Sequence, residues 1–248
     1  MNHLEQSIKR MAQMIKTNKN VVVFTGAGIS TESGIPDFRS SKGLWAGIDP
    51  QEIASADAMK RDPRKLALFY RERIKENLSH KPNRSHHILN EWLLNDIIKH
   101  IATQNVDGYH STCFETAHQI SELHGNFSLY CTQCGEKYDK EYYLGPLETF
   151  CICEKCEGFV RPNIVLFGEQ LPTEAYQKAK KIFKRSQLCL VIGTSASVYP
   201  ANGLPQMSRS LTIINKTETD LDHMASIKIN KMSASVVLEA IDYELKES

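Results

Sequence analysis

Four cysteines form the most specific chemical pattern in the chain. Cys131 and Cys134 make one Cys-x-x-Cys pair, Cys153 and Cys156 make a second, and 18 residues (135–152) separate the two pairs. This spacing is typical of a zinc ribbon, in which four thiolates bind one Zn²⁺ tetrahedrally. Because four thiolates leave no coordination position for water, the pattern predicts one structural zinc ion. Two alternatives stay open: Cys151 could replace Cys153 as a ligand, and the thiols could be reduced cysteines without metal.

A glycine turn follows the first apolar run of the chain. The run occupies residues 21–25, and the sequence Gly-Ala-Gly comes directly after it at residues 26–28. Such a turn lets the backbone approach a pyrophosphate, and a helix beginning at about Ser30 would direct its N–H groups toward the phosphates. Thr31 occupies the place of the third glycine of the dehydrogenase fingerprint, which disfavours a hydride-transfer enzyme. A tight structural turn without a ligand is the alternative.

Apolar runs alternate with helical patterns along most of the chain. The runs that indicate strands lie at residues 21–25, 97–103, 164–167, 188–193 and 211–215, with a weaker one at 226–229. Helical periodicity occupies residues 3–18 and 173–185. This alternation predicts an α/β fold, with a Rossmann-like parallel sheet, helices on both of its faces, and ligands at the carboxyl ends of the strands.

Two segments do not fit the alternation and predict a small insert domain. Residues 41–82 are predicted to form its helical module, and residues 129–162 hold the cysteine cluster as a zinc-ribbon module. The Rossmann-like domain then consists of residues 1–40, 83–128 and 163–248.

Composition and charge exclude several other classes of protein. The chain has 30 Lys and Arg against 29 Asp and Glu, a net charge of +1, so direct nucleic-acid binding is not expected. It has neither a signal-peptide pattern nor an uninterrupted apolar stretch long enough for a bilayer. We therefore expect a cytoplasmic protein with no membrane partner, in a compartment where clustered thiols bind metal more often than they form disulfides.

Six short motifs, in order along the chain and around the cysteine cluster, resemble those of the sirtuins. They are Gly-Ala-Gly-Ile-Ser (26–30), Gly-Ile-Pro-Asp-Phe-Arg-Ser (34–40), Thr-Gln-Asn-Val-Asp-Gly (103–108), Glu-Leu-His-Gly (122–125), Phe-Gly-Glu (167–169) and Gly-Thr-Ser (193–195). Sirtuins are NAD-dependent protein deacylases, in which the acyl oxygen of a modified lysine displaces nicotinamide from the ribose of NAD. The resemblance implies NAD and an acylated lysine of a protein as substrates. It implies nicotinamide, O-acyl-ADP-ribose and free lysine as products.

The resemblance also implies roles for individual residues. His124 would be the general base, because an imidazole that titrates near neutrality can accept a proton from a ribose hydroxyl. Asn105 would be the second catalytic residue and would fix the ribose, while Asp107 would hold the nicotinamide carboxamide and Phe38 would screen the ribose from water. The residues expected to bind NAD are Gly26, Ala27, Gly28, Thr31, Phe38, Arg39, Gln104, Asn105, Val106, Asp107, Thr194, Ser195 and Asn215.

The same resemblance predicts where the acylated peptide binds. The peptide would lie extended between residues 165–169, which include Val165, Phe167 and Gly168, and residues 197–199, and would complete a small sheet by backbone pairing. Tyr70 and Arg73 have a Tyr-x-x-Arg spacing, which resembles the pair that some sirtuins use to bind the carboxylate of succinyl- or malonyl-lysine. The alternative is that Phe69 and Tyr70 are core aromatics and that Arg71, Glu72 and Arg73 form a solvated charged face.

Two other functions compete with a deacylase. A relative of the same fold could transfer ADP-ribose to protein, although the presence of His124 argues against it. A non-enzymatic zinc-ribbon binding module would not need the NAD motifs. Whatever its function, we expect the chain to be a monomer.

Overall fold

The chain folds around two β-sheets. The computed structural model describes residues 3–37, 43, 47, 49–111 and 115–247. The strands in these residues are β1 (Val21–Thr25), β2 (His100–Thr103), β3 (Ile120–Glu122), β4 (Gly125–Cys131), β5 (Lys137–Tyr138), β6 (Val160–Ile164), β7 (Leu188–Ile192), β8 (Leu211–Ile214) and β9 (Ala225–Ile229). The α-helices are α1 (His3–Thr17), α2 (Pro50–Ile53), α3 (Ala56–Arg61), α4 (Pro63–Ser79), α5 (Arg84–Leu94), α6 (Thr173–Phe183) and α7 (Ala234–Glu247).

The larger sheet is parallel and has the order β3-β2-β1-β7-β8-β9. Successive side chains of β1 point to opposite faces, so Val21 and Val23 pack with α1, α5 and α7, whereas Val22 and Phe24 pack with α6. Every residue of β1 and β7 is buried, as expected for central strands that are covered on both sides. The predicted Rossmann-like sheet with helices on both faces is thereby confirmed.

The smaller sheet is antiparallel, has the order β5-β4-β6, and shares one apolar core with the helical module. Leu66 and Ile74 of α4 belong to the same cluster as Leu129 of β4 and Val160 of β6. The helical module and the cysteine-rich module therefore form one small domain. The domain boundaries remain predictions, and both β4 and β6 continue across them, at 128/129 and 162/163.

Two local expectations were wrong. Residues 164–167 are not a strand of the parallel sheet, because the strand ends at Ile164 and belongs to the small sheet, while the N–H groups of Val165 and Phe167 bond to His124 and Ala54 outside any strand. The segment after the glycine turn is a 3₁₀-helix, Ala27–Ser33, not an α-helix from Ser30. Gly34 ends it in the left-handed conformation, with a φ of 95°.

The three-residue strand β3 lies at the edge of the parallel sheet and was not predicted from the sequence.

Among the residues that the structure describes, no helix combines the length and the apolarity needed to cross a bilayer.

Candidate active site

A cleft of about 380 Å³ lies at the carboxyl ends of β1, β2 and β7, between the parallel sheet and the small domain. This is the edge of a parallel α/β sheet at which ligands bind. The residues that line it from the large domain include Ala27, Gly28, Ser30, Gln104, Asn105, Val106, Asp107, His124, Gly193, Thr194, Ser195, Asn215 and Thr217. Those from the small-domain side include Phe69, Tyr70, Arg73, Glu76, Asn77, Phe127, Ile164, Val165, Phe167 and Gly168.

The glycine turn packs against the loop that follows β7. The Gly28 N–H donates to the carbonyl of Gly193 at 2.8 Å, and a Cβ atom at Gly28 would lie 2.8 Å from that oxygen. A Cβ atom at Gly26 would lie 2.6 Å from the Cβ of Thr194. Both positions therefore require glycine for packing between two loops, before any ligand binds.

Three polar side chains, Ser30, Asn105 and Asp107, form what we call the polar floor of the cleft. The Ser30 hydroxyl donates to Asp107 Oδ2 at 2.6 Å, and Asn105 Nδ2 donates to Ser30 Oγ at 3.0 Å. Burial raises the pKa of the Asp107 carboxyl, while the bonds from Ser30 and from the Tyr109 N–H partly oppose that rise. Asn105 Oδ1 is buried and has no hydrogen-bond partner within the described residues. An orphaned acceptor in a cleft fits a ligand hydroxyl, such as that of a ribose.

Two buried histidines lie behind the polar floor, a contact that the sequence did not predict. The Nε2 atom of His86 is 3.4 Å from Ser30 Oγ, and Nε2 of His110 is 3.1 Å from Thr25 Oγ1. Their ring centroids are 4.9 Å apart. Burial lowers the pKa of both rings, that of His110 to about 4, so both are neutral near pH 7. They support the floor without adding charge to it.

His124 lies between β3 and β4, and its ring lines the cleft. Its Nδ1 atom is 2.9 Å from the carbonyl oxygen of Gln104. Because a carbonyl only accepts, Nδ1 carries the proton, which leaves Nε2 of the neutral ring as an acceptor. Burial lowers the pKa of His124, and the bond to Gln104 opposes this in part. The ring can thus act as a base near neutral pH.

Most of the predicted NAD residues meet in this cleft, and some do not. Ala27, Gly28 and the residues predicted at 104–107, 194, 195 and 215 all line it. Gly26 and Thr31 do not, since Gly26 packs on Thr194 and the Thr31 hydroxyl donates to the Gly28 carbonyl at 2.8 Å. Phe38 and Arg39 lie outside the described residues. The orphaned acceptor of Asn105 and the glycine turn fit a dinucleotide, and the individual roles stay predictions.

One lining residue joins the polar floor to the small domain. The side chain of Asn77, on α4, donates to the backbone carbonyl of Asp107 at 3.1 Å and accepts from Lys140 Nζ at 3.2 Å. The backbone carbonyl of Asn77 accepts from the Tyr109 hydroxyl at 3.2 Å. Asn77 was missed in the sequence, because an isolated asparagine within a helical pattern gives no signal of such contacts.

The segment predicted to pair with a peptide has only part of its backbone available. The N–H of Phe167 donates to Ala54 at 2.9 Å, and its carbonyl accepts from Ala56 at 2.9 Å. The Val165 carbonyl and the Gly168 N–H have no backbone partner in the described part of the chain. Both residues line the cleft, so an extended peptide could use these two groups.

The four cysteines of the two Cys-x-x-Cys pairs converge in the small domain. All four Sγ atoms lie within 4.8 Å of one another, with Cys131 and Cys156 3.5 Å apart and Cys134 and Cys153 3.6 Å apart. Tetrahedral Zn–S bonds of about 2.3 Å require sulfurs about 3.8 Å apart, so the residues fit one zinc ion. Cys151 is buried in the small-domain core and is not part of this group.

A tyrosine lies in contact with this cysteine cluster. The Tyr138 hydroxyl donates to Cys153 Sγ at 3.1 Å, and the Glu154 N–H donates to that hydroxyl at 3.1 Å. The Tyr138 ring stacks on Tyr142, with a centroid distance of 4.3 Å. Such outer contacts fix the orientation of metal ligands.

A parallel α/β sheet, a small four-cysteine domain and a cleft between them that fits a dinucleotide define a class of NAD-binding protein, and comparison with known proteins identifies the same class. Residues 26–200 match the Sir2 family, to which the chain belongs, and the resemblance to the sirtuins is confirmed.

Individual relatives match over nearly the whole chain. An NAD-dependent protein deacetylase of Halalkalibacterium halodurans is 40% identical over 233 residues, which cover 92% of this chain and 96% of the relative. A solved Sir2 structure with a deacetylated p53 peptide and 3′-O-acetyl ADP ribose has a TM-score of 0.89 at 33% identity, and covers 96% of this chain and 98% of the other. Sir2Tm bound to a propionylated peptide has a TM-score of 0.85 at 34% identity, with 97% and 99% covered.

Proposed function

We propose that this chain is an NAD-dependent protein-lysine deacylase, which releases nicotinamide, O-acyl-ADP-ribose and free lysine. The observation that carries the proposal is a single cleft in which the orphaned acceptor of Asn105 and the neutral ring of His124 face the same space. Membership of the Sir2 family supports the same activity, since relatives of that family are NAD-dependent deacetylases.

The large-domain side of the cleft would hold NAD. When bound, NAD supplies an electrophilic ribose carbon with nicotinamide as its leaving group. Thr194 and Ser195 follow β7, and Asn215 follows β8, so they would contact the phosphates and the adenosine ribose. Asp107 would accept from the nicotinamide amide, and Asn105 Oδ1 would accept from a ribose hydroxyl.

His124 would accept a proton at Nε2. The Gln104 carbonyl holds the other ring nitrogen at 2.9 Å and so fixes both the tautomer and the ring plane. The carbonyl of His124 itself accepts from the Val165 N–H at 2.9 Å, which attaches the base to the peptide-binding segment. A proton acceptor placed in this way removes a proton from a ribose hydroxyl at the step in which that hydroxyl attacks the acyl carbon.

The peptide backbone would bind through the Val165 carbonyl and the Gly168 N–H, beside Phe167, which also lines the cleft. Backbone pairing of this kind discriminates little between peptide sequences. Selectivity would then come from the wall that holds the acyl chain. Tyr70 and Arg73 both line that wall, so they could bind the carboxylate of a succinyl or malonyl group.

The small domain would hold one structural zinc ion through Cys131, Cys134, Cys153 and Cys156. Four thiolates would complete its coordination, so the ion would stabilise the fold of the domain and would take no part in the reaction. The cytoplasmic location and the monomeric state stay predictions.

One assay tests the proposed activity. The purified protein is incubated with NAD and an acetyl-lysine peptide, and nicotinamide, O-acetyl-ADP-ribose and free peptide are quantified by mass spectrometry. We expect the three products in equal amounts, and none of them without NAD. Labelled ADP-ribose on protein would indicate the transferase alternative, and intact NAD with every acyl peptide would indicate a binding module.

A further inference from the structure

Tyr70 and Arg73 form what we call the acyl wall of the cleft, and Arg73 lies beside the Glu76 carboxylate of the same helix. Phe69, Arg73 and Glu76 occupy positions i, i+4 and i+7 of α4, so they share one face, and all three line the cleft. Arg73 Nη1 is 3.5 Å from Glu76 Oε2. The guanidinium carbon is 5.4 Å from the centroid of the Phe69 ring. Phe69 and Glu76 therefore both hold the guanidinium beside the cleft.

This ion pair satisfies Arg73 only in part. Its single contact of 3.5 Å is long, and the two side chains are 27% and 31% exposed. Arg73 Nε is buried and has no hydrogen-bond partner within the described residues. A buried donor without a partner is uncommon in a folded protein, and in a ligand cleft it marks a place where an acceptor can bind.

A second arginine close to the same wall is bound very differently. Arg161 is only 4% exposed and makes two bonds to the Glu169 carboxylate, at 2.6 and 3.1 Å. Glu169 also accepts from the Leu166 N–H at 2.8 Å. Arg161 is therefore committed to the structure, whereas Arg73 keeps part of its binding capacity.

A carboxylate at the end of an acyl chain would have to share Arg73 with Glu76. A guanidinium binds a carboxylate best through two parallel N–H bonds, and Glu76 already occupies one of the nitrogen atoms that could form them. The Glu76 carboxylate would also repel a second carboxylate at close range. Neutral acyl chains meet neither obstacle.

We infer that Glu76 is a specificity residue that acts through Arg73, and that its carboxylate disfavours acyl chains ending in a carboxylate. This inference rests on the proposed deacylase function and on the acyl wall formed by Tyr70 and Arg73. Burial raises the pKa of Tyr70, so its phenol stays protonated and can donate to an acyl oxygen whether or not Glu76 is charged. Glu76 thus sets the preference among acyl groups at the Arg73 end of the wall.

The test replaces Glu76 by glutamine and compares two substrates of one peptide sequence, succinyl-lysine and acetyl-lysine. We expect the ratio of kcat/KM for succinyl to that for acetyl to rise roughly three- to tenfold, since the substitution removes both the competing charge and the repulsion. The matched control is Glu72→Gln on the exposed face of the same helix, for which we expect an unchanged ratio.

A second background shows whether the effect passes through Arg73. In an Arg73→Met chain, Glu76→Gln should raise the ratio clearly less than in the unmodified chain, because no guanidinium is left to release and only the direct repulsion is removed. Glu76→Ala should act in the same direction as Glu76→Gln, and thermal melting curves should show that each variant folds.

The outcomes separate this inference from the proposed function. If the unmodified chain deacetylates its peptide but neither Glu76 variant changes the ratio, the inference is wrong and the deacylase function stands. A rise of the same size in the Arg73→Met background also overturns it, because Glu76 would then not act through Arg73. If the unmodified chain cleaves no NAD with either peptide, the deacylase proposal fails and takes the inference with it.

Discussion

The two sides of the cleft are built in different ways. On the NAD side, Ser30, Asn105 and Asp107 are joined by bonds of 2.6 to 3.3 Å and lie in the segments that follow strands β1 and β2 of the buried parallel sheet. On the acyl side, one helix supplies the wall, and its charged pair of Arg73 and Glu76 makes a single contact of 3.5 Å. That helix packs on a domain whose cysteines fit a metal ion.

This difference suggests that the NAD side would determine the rate of the reaction and that the acyl side would determine the preference among acyl groups. The NAD side would meet the same reactant in every turnover, and its side chains are fixed by short bonds and by burial. The acyl side would meet different substrates, and it has an orphaned donor and a partly exposed ion pair. A change on the first side should therefore alter the rate with all substrates, and a change on the second should alter the preference among them.

The largest effect is expected from His124→Ala. Loss of a general base should reduce deacylation about a hundredfold or more with every acyl peptide, while NAD still binds. Turnover and NAD affinity, the latter by calorimetry, are measured on the same preparation. His118→Ala, at an exposed position, is the control and should keep full activity. If His124→Ala retained a tenth of the activity, the base would have to be another group.

Loss of the zinc ion should destabilise the small domain and leave the parallel sheet folded. Structural zinc contributes on the order of 10 kcal/mol to folding, so Cys153→Ser should lose the metal and expose the small domain to proteolysis while the parallel sheet persists. Metal content by mass spectrometry and the cleavage map give the result. Cys151→Ser is the matched control and should keep its zinc. Equal zinc loss in the two variants would contradict the assignment of Cys153 as the ligand.

A more selective effect is expected from Arg73→Met. Bonds to a charged group contribute about 1.5 to 3 kcal/mol, so the ratio of succinyl to acetyl kcat/KM should fall roughly tenfold. Arg73→Lys keeps the charge without the planar guanidinium, so its succinyl-to-acetyl ratio should lie between those of the unmodified chain and of Arg73→Met. If acetyl and succinyl activities decreased equally, Arg73 would have no role in binding a carboxylate.

The smallest effect is a displacement of the pH profile. Burial lowers the pKa of His124 below its ordinary value of 6.5. As pH falls through 6.5 the ring stays neutral, and activity is lost only when pH falls through the lowered pKa. The acid limb of kcat/KM against pH should therefore lie below 6.5 for acetyl and succinyl peptides alike. A limb at or above 6.5 would contradict the assignment of the buried His124 ring as the group that titrates.

A buried strand followed by a glycine turn is a local pattern, so the sequence alone predicts where the turn lies. The resemblance supplied the other predicted NAD residues that line the cleft, and their roles stay predictions. The cysteine cluster is likewise predicted from a local pattern. His86 and His110 could not be found in this way, since a single histidine has no spacing that distinguishes a support from a surface residue. Glu76 could not be found either, because its importance depends on which face of α4 meets the cleft.

The misassigned strand has a related cause. Residues 164–167 are apolar enough for a strand, yet the N–H groups of Val165 and Phe167 bond to His124 and Ala54, which are distant in sequence. An apolar run indicates burial and gives no information on which partner its backbone has.

Strand β4 connects the two sites of the molecule. It begins directly after His124 and ends at Cys131, so its seven residues span about 20 Å between the candidate base and the four-cysteine cluster. At Gly125 the φ is 74°, and a Cβ atom there would lie 1.8 Å from the Asn163 carbonyl oxygen, so no larger residue fits. The backbone beside His124 is thereby packed directly on β6, the neighbouring strand of the small sheet.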